Sequence, residues 1–382
     1  MQAFLSNTVS QIRKTHPTLS NTVWIVPSNR AARTLQQIIA STQTKTEFAP
    51  KIYNISTVFE ILSGLKQIDT TTLLCTAYIH YAKQNGRTKE PFEMFSNWAA
   101  PLLQDINEID LHLVSEKEFL SYMRAIKSIE RWGKSETEHT FIKSYLKFWE
   151  SSPSWIEALK QDLLEQQQTY TGQVYRYGIK HCDDYLTTEG HKPHFFIGFN
   201  ALTKSEDTLF QSFLAHGNTQ IFWDVASYYF KDPTHLAGYY FRKYFANWPY
   251  YKQHPKAFTL RETPAQQKVY CMATEGDIGQ VKYVGQLLEN MPQEAWSETA
   301  IVLADESLLN PLLQVIPKHI NTNITKGINL QTLAGAQFFE LLFTLQSNHK
   351  RAWRFQDLIA FFNNHFATLF WSKKEVAQVL QR

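Results

Sequence analysis

Gly133-Lys134-Ser135 is the one place where glycine, lysine and a hydroxyl stand in the order of a nucleotide-binding loop. That loop, G-x-x-x-x-G-K-[ST], works because glycine N–H groups cradle phosphates while the lysine and hydroxyl serve phosphate and magnesium. Here the preceding glycine is replaced by Ser128, and Met123–Trp132 has helical rather than strand spacing. The expectation is a glycine closing a helix, not a phosphate loop. A magnesium-holding carboxylate pair is missing too, since the apolar run Phe195-Phe-Ile-Gly-Phe-Asn200 ends without one. Asp224 follows Ile221-Phe-Trp223 as a single carboxylate and is expected to cap a turn or helix. Asp305-Glu306 opens a helix, where carboxylates offset the dipole.

The other titratable residues point to no reaction. The histidines form neither HxH nor HExxH, and His191 and His194 flank a proline in what reads as a polar surface loop. Asp105, Glu108 and Asp110 read as an exposed acidic helix end rather than a metal site. Cys182 has only the adjacent His181 as a base, and adjacent helical residues do not face each other. No catalytic residue, metal or cofactor is therefore expected in the chain. What remains is basic and aromatic. Arg30 and Arg33 lie on the first helical turn after a strand, Lys204 and Ser205 hold the equivalent place after a later strand, and Thr325-Lys326 follows the extended Ile320–Ile324. Such groups at the edge of an α/β sheet can grip phosphates while nearby aromatics stack bases. Each also has a plain structural reading.

The elements that must position them read as α/β. Val23-Trp-Ile-Val26 is an unbroken apolar run of the kind buried in a parallel sheet, followed by Pro27-Ser28-Asn29 and a helix over Arg30–Ile39. Lys51–Ile55 is a second strand, with Ser56-Thr57 expected to cap a helix over Val58–Leu65. Helical periodicity then dominates: Thr72–Lys83, Pro91–Ile106 with a break or kink at Pro101, Glu116–Trp132, Glu138–Trp149 and Trp155–Gln168. Strand texture returns at His194–Phe199 and Gln220–Trp223, separated by a helix over Ser205–Ala215. Beyond the linker His254-Pro-Lys, a second α/β unit is expected from strands at Lys268–Ala273 and Thr299–Leu303, helices at Ile278–Glu289 and Asp305–Ile316, and a helical end.

Composition bounds the partners. Thirty-eight Lys and Arg against 35 Asp and Glu exclude a polycation and an acidic tail but permit local basic grooves. Twenty-six Phe, 18 Tyr and 10 Trp are enough to fill cores and still line a groove. Three scattered cysteines, Cys75, Cys182 and Cys271, argue against a disulfide or zinc framework. The amphipathic start lacks the apolar core and cleavage site of a signal peptide, and no apolar run has membrane length, so a soluble, cytoplasmic protein is expected.

In combination, a set of words resembles a known family: Val26-Pro-Ser-Asn-Arg-Ala-Ala-Arg, Phe48-Ala-Pro-Lys-Ile, Leu103-Gln-Asp-Ile-Asn-Glu-Ile-Asp110, Thr171-Gly-Gln-Val-Tyr-Arg176, Phe196-Ile-Gly-Phe-Asn-Ala-Leu-Thr-Lys-Ser-Glu206, Phe222-Trp-Asp224 and Ile301-Val-Leu-Ala-Asp-Glu-Ser-Leu-Leu309. The chain resembles the amino-terminal part of Bacteroidetes-type PD-(D/E)XK nuclease family proteins, which are similar to the AddB subunit of AddAB helicase–nucleases. The resemblance implies an inactivated superfamily 1 helicase region. Val23–Ile39 is similar to helicase motif Ia, which touches single-stranded DNA in active relatives. Phe196–Glu206 is similar to a strand-to-helix segment of AddB-type proteins, and Ala300–Ile316 to the motif IV region. Two departures matter: no phosphate loop precedes Val23, and the Walker B carboxylates are absent, as inactivation implies. The nuclease signature is also absent, as it lies carboxy-terminal in this family.

The implied fold has a RecA-like domain from residues 1–70 and 190–255, a helical insertion at 71–189, a partial second RecA-like domain at 256–334 and the start of a helical insertion at 335–382. The implied function is an ATP-dead scaffold that holds single-stranded or unwinding DNA and steers it to a magnesium-dependent exonuclease domain beyond this chain. An AddA-like helicase–nuclease is the implied partner, and double-strand break repair by recombination the process. The second domain's unfinished reading at Arg382 implies a fragment of a longer protein. Two rivals stand beside this: a live nucleotide hydrolase with a degenerate phosphate site, and a purely structural interaction protein.

Overall fold

The computed structural model describes residues 2–43, 46–83, 90–115, 153–262, 268–325, 327, 329–330, 333–348 and 353–380. The expected helices at Glu116–Trp132 and Glu138–Trp149, and Gly133-Lys134-Ser135, lie outside them. The chain divides into two units, Met1–Ala265 and Gln266–Arg382.

The first unit is built on a four-stranded parallel sheet in the order β2-β1-β5-β6, from β1 (Val23–Val26), β2 (Lys51–Asn54), β5 (His194–Ile197) and β6 (Thr219–Phe222). Its central strands are apolar on both sides because both faces are covered. Alternate residues serve different cores: Trp24, Val26, Phe195, Ile197 and Phe222 pack with α1 (Gln2–Thr15) and α2 (Asn29–Thr42), while Val23, Ile25, Phe196 and Ile221 face the opposite layer. Ser28 caps α2, accepting the Ala31 N–H at 3.3 Å. The next cap falls earlier than the sequence suggests. Asn54, not Ser56 or Thr57, accepts the Thr57 N–H at 2.7 Å, so α3 runs Ile55–Ser63 and closes on left-handed Gly64.

The helical insertion has its own core, in which Leu73 and Ala77 of α4 (Thr70–Ala82) meet Phe95 and Leu102 of α5 (Phe92–Leu111) and Trp155 and Leu159 of α6 (Pro153–Glu165). Pro101 sits inside α5 without ending it. A two-stranded parallel ribbon, β3 (Lys66–Gln67) with β4 (Gln168–Thr169), joins entry to exit. The insertion therefore returns to the sheet body near residue 170, not 189. The reason is packing: α7 (Thr171–Lys180) and α8 (Cys182–Glu189) bury Val174, Tyr175, Cys182 and Leu186 in the sheet's own core. Tyr175 stacks on Phe59 with ring centroids 3.8 Å apart.

Gly172 permits that return. A Cβ there would stand 2.3 Å from the Asn107 carbonyl oxygen, so α7 meets α5 backbone to backbone. Gly172→Ala is expected to destabilise the first unit by about 1–3 kcal/mol through overpacking, read as a lowered urea midpoint. An unchanged midpoint would contradict the close approach.

The first unit also extends past the expected boundary at 255. Phe258 is buried in the sheet core, and Arg261 bridges to Ala226 in parallel fashion beyond β6. In the second unit neither the two segments expected as strands nor the extended one behind them pairs. Val269–Ala273, Ala300–Leu303 and Ile320–Ile324 form no strand among the described residues, and Val269, Tyr270 and Val302 are 78%, 86% and 88% exposed. A single extended segment gains no ladder bonds without neighbours to pair with. The expected second sheet is thus absent from the described residues, which hold helices instead. One pair, Gly276–Glu289 and Leu309–Val315, meets where Gly285 approaches Val315. The other, Ala334–Ser347 and Phe355–Phe362, shares a small core of Leu345, Leu358 and Phe361. Among the described residues no helix is long and apolar enough to cross a membrane.

Candidate nucleic-acid interface

The order β2-β1-β5-β6 places β2 on one side of β1 and β5 on the other, so the chain reverses direction across the sheet between β1 and β5. In open parallel sheets the crevice at the carboxyl ends of such a strand pair is where ligands sit. Two segments flank it here: Pro27–Arg30 after β1, and Gly198–Lys204 after β5.

Each flank is held in place. Asn29 accepts a hydrogen bond from Asn54 Nδ2 at 2.5 Å, tying the β1 loop to the end of β2. Gly198 adopts φ +77°, and α1 covers the turn with Phe4. Thr203 opens α9 (Lys204–His216) with a reciprocal capping box: its hydroxyl accepts the Glu206 N–H, and the Glu206 carboxylate accepts the Thr203 N–H at 2.8 Å. Burial raises the Glu206 carboxyl above its ordinary range. The hydroxyl of Tyr244 accepts the Leu202 N–H at 2.9 Å and donates to the Asn200 carbonyl at 3.1 Å.

The sequence-selected cations divide on this frame. Arg30 and Arg33 are exposed, three residues apart on one side of the first turns of α2, whose first turn has no acidic residue. Lys204 is exposed, but its Nζ lies 2.8 Å from Asp207 Oδ2. Ser205 does not belong to the surface. It is fully buried and donates to the Leu111 carbonyl at 2.7 Å, because the first turn of α9 packs on the end of α5. Thr325 is exposed in the second unit, and Lys326 lies outside the described residues.

Three other expectations change. Asp105 and Glu108 are exposed, but Asp110 is buried: Arg176 Nε approaches its Oδ1 at 2.6 Å, Tyr170 donates to Oδ2, and Lys160 Nζ stands 3.7 Å away. Arg176 also donates to the carbonyls of Ile109 and Val114. The helix end carries its last carboxylate inward because α7 brings a guanidinium to meet it. His194 is likewise buried rather than on the surface, since pairing of β5 with both neighbours begins at that residue. Burial pushes its imidazole down to about 4, against the hydrogen bond to the Lys192 carbonyl, which favours the charged form. Asp224 is no cap: its Oδ1 faces Arg261 Nε at 3.6 Å. Cys182 is buried with its thiol pushed up to about 12, and His181 turns to Asp184. Asp305 does accept the Ser307 N–H at 2.9 Å, as a residue opening a helical turn should.

Sequence reasoning did not find the Asn29–Asn54 clasp or the Tyr244 anchor. Both join residues far apart in the chain. Neither a protein-family model nor a curated protein matches the chain.

Proposed function

We propose that the chain is a helicase-like scaffold that binds a DNA strand without turning over nucleotide. Its first unit is read as RecA-like, with the strand lying across the carboxyl edge of the sheet. In the fuller role that goes with the family resemblance, the strand is steered to a PD-(D/E)XK exonuclease domain with an AddA-like partner, in recombinational repair of double-strand breaks. The observation that supports strand binding is the placement of Arg30 and Arg33. Both are exposed on the first turns of α2, beside the point where strand order reverses. Their charge adds to the positive end of the helix dipole, so phosphates meet cations and N–H donors together.

Changing both arginines to Ala is expected to weaken binding of a single-stranded oligonucleotide and flatten its salt dependence by ~0.7 in slope for each phosphate left without its cation. Neither side chain is buried, so the fold should persist, as far-ultraviolet circular dichroism can check. A folded double variant with unchanged affinity and slope would remove both residues from the interface.

A further inference from the structure

We propose that Tyr239, Tyr240 and Lys243 form the base-stacking platform of this interface, and that its ligand is an unpaired strand rather than a duplex. The inference rests on the strand-binding reading above.

Residues 226–258 are basic and aromatic together. Lys231, Arg242, Lys243, Lys252 and Lys256 stand against the single carboxylate of Asp232. Most of the aromatics there are used in packing. Phe241, Tyr244, Trp248, Tyr251 and Phe258 are buried around Trp223, whose indole donates to the Tyr251 hydroxyl at 2.9 Å. Tyr239 and Tyr240, at the start of α10 (Tyr239–Asn247), are not: they are 52% and 40% exposed.

Their position joins them to the interface. Tyr240 lies over Tyr244 with centroids 6.4 Å apart and planes 26° apart, and the Tyr244 hydroxyl holds the Asn200–Leu202 loop. The helix is therefore fixed against the loop that flanks the sheet reversal. Lys243 follows Tyr239 and Tyr240 by four and three residues, which puts all three on one side of the helix. It is exposed and has no carboxylate partner among the described residues. Rings beside an unpaired cation suit bases beside phosphates. Bases paired inside a duplex cannot reach a ring face, so the platform selects single strands.

The test is equilibrium anisotropy with the full chain, a fluorescent oligothymidine and a duplex of matched length. Y239A/Y240A is expected to weaken oligothymidine binding by about tenfold or more, with the salt slope and duplex binding unchanged. Y239F/Y240F should keep wild-type affinity, and Lys243→Ala should reduce the slope by ~0.7. If Y239A/Y240A binds oligothymidine like wild type while the Arg30/Arg33 variant does not, the platform is overturned and the interface stands. If the Phe pair weakens binding as much as the Ala pair, ring stacking is overturned. If the wild-type chain binds neither probe, the platform and the strand-binding reading fall together.

Discussion

Replacing Arg176 with Ala is expected to lower the unfolding free energy of the first unit by about 3–5 kcal/mol, the range for orphaning one member of a buried ion pair. The two partners are not equivalent. The Asp110 side chain is 5% exposed and the Arg176 side chain 26%. Without Arg176, the carboxylate stays inside and, among the described residues, keeps the Tyr170 hydroxyl and a lysine 3.7 Å away. Without Asp110, the guanidinium keeps the Ile109 and Val114 carbonyls and some access to water, so Asp110→Ala should cost less. The double variant should be more stable than the sum of the single losses predicts, since neither charge is then stranded. Urea denaturation of all three variants measures this. Single losses below about 1 kcal/mol would mean that the pair does not tie the insertion to the sheet body.

The second large effect is a pH dependence with its sign fixed by His194. Its ring is buried between Tyr185, which sits 3.1 Å from Nε2, and the edge of Phe213. Glu189 favours the charged form, whereas Lys192 and His216 oppose it, and burial outweighs all of them. The folded pKa is therefore below the unfolded value. Well above pH 6.5 neither state is protonated at this site and it contributes no pH dependence. As pH falls from 6.5 toward about 4 the unfolded chain takes up a proton that the folded chain refuses, so stability is lost across that window and levels off below it. The gap corresponds to roughly 2–3 kcal/mol by pH 4.5. Denaturation at neutral pH and at pH 4.5 should show that additional loss in the wild type but not in His194→Gln. Equal losses in both would place the pH dependence elsewhere.

Both sites show where sequence alone fails. The sheet of the first unit was legible because Val23–Val26 is apolar throughout, and only a strand covered on both faces needs that pattern. The same reasoning predicts strands at Val269–Ala273 and Ala300–Leu303, where the residues are largely exposed and unpaired. An apolar run states a preference, and pairing depends on neighbours the run does not specify. Asp110 looks like its exposed neighbours because helical position does not reveal an arginine 66 residues later in the chain. His194 looks like loop because Pro193 precedes it, yet its backbone N–H donates to the Asn218 carbonyl at the sheet edge. The exposed position of Arg30 and Arg33 on the first turns of α2 was legible because a clear strand and a serine cap precede an amphipathic helix. Ser205 shares that logic after β5 but faces inward, which only the packing of α9 on α5 decides.

The central claim is that exposed cations at the carboxyl edge of this sheet grip the phosphates of a single strand. The most direct test is a titration of labelled oligothymidine with the full wild-type chain over a series of salt concentrations. Three phosphates, held by Arg30, Arg33 and Lys243, predict a log–log slope of roughly −2. No binding at low salt, or an affinity indifferent to salt, would contradict the claim.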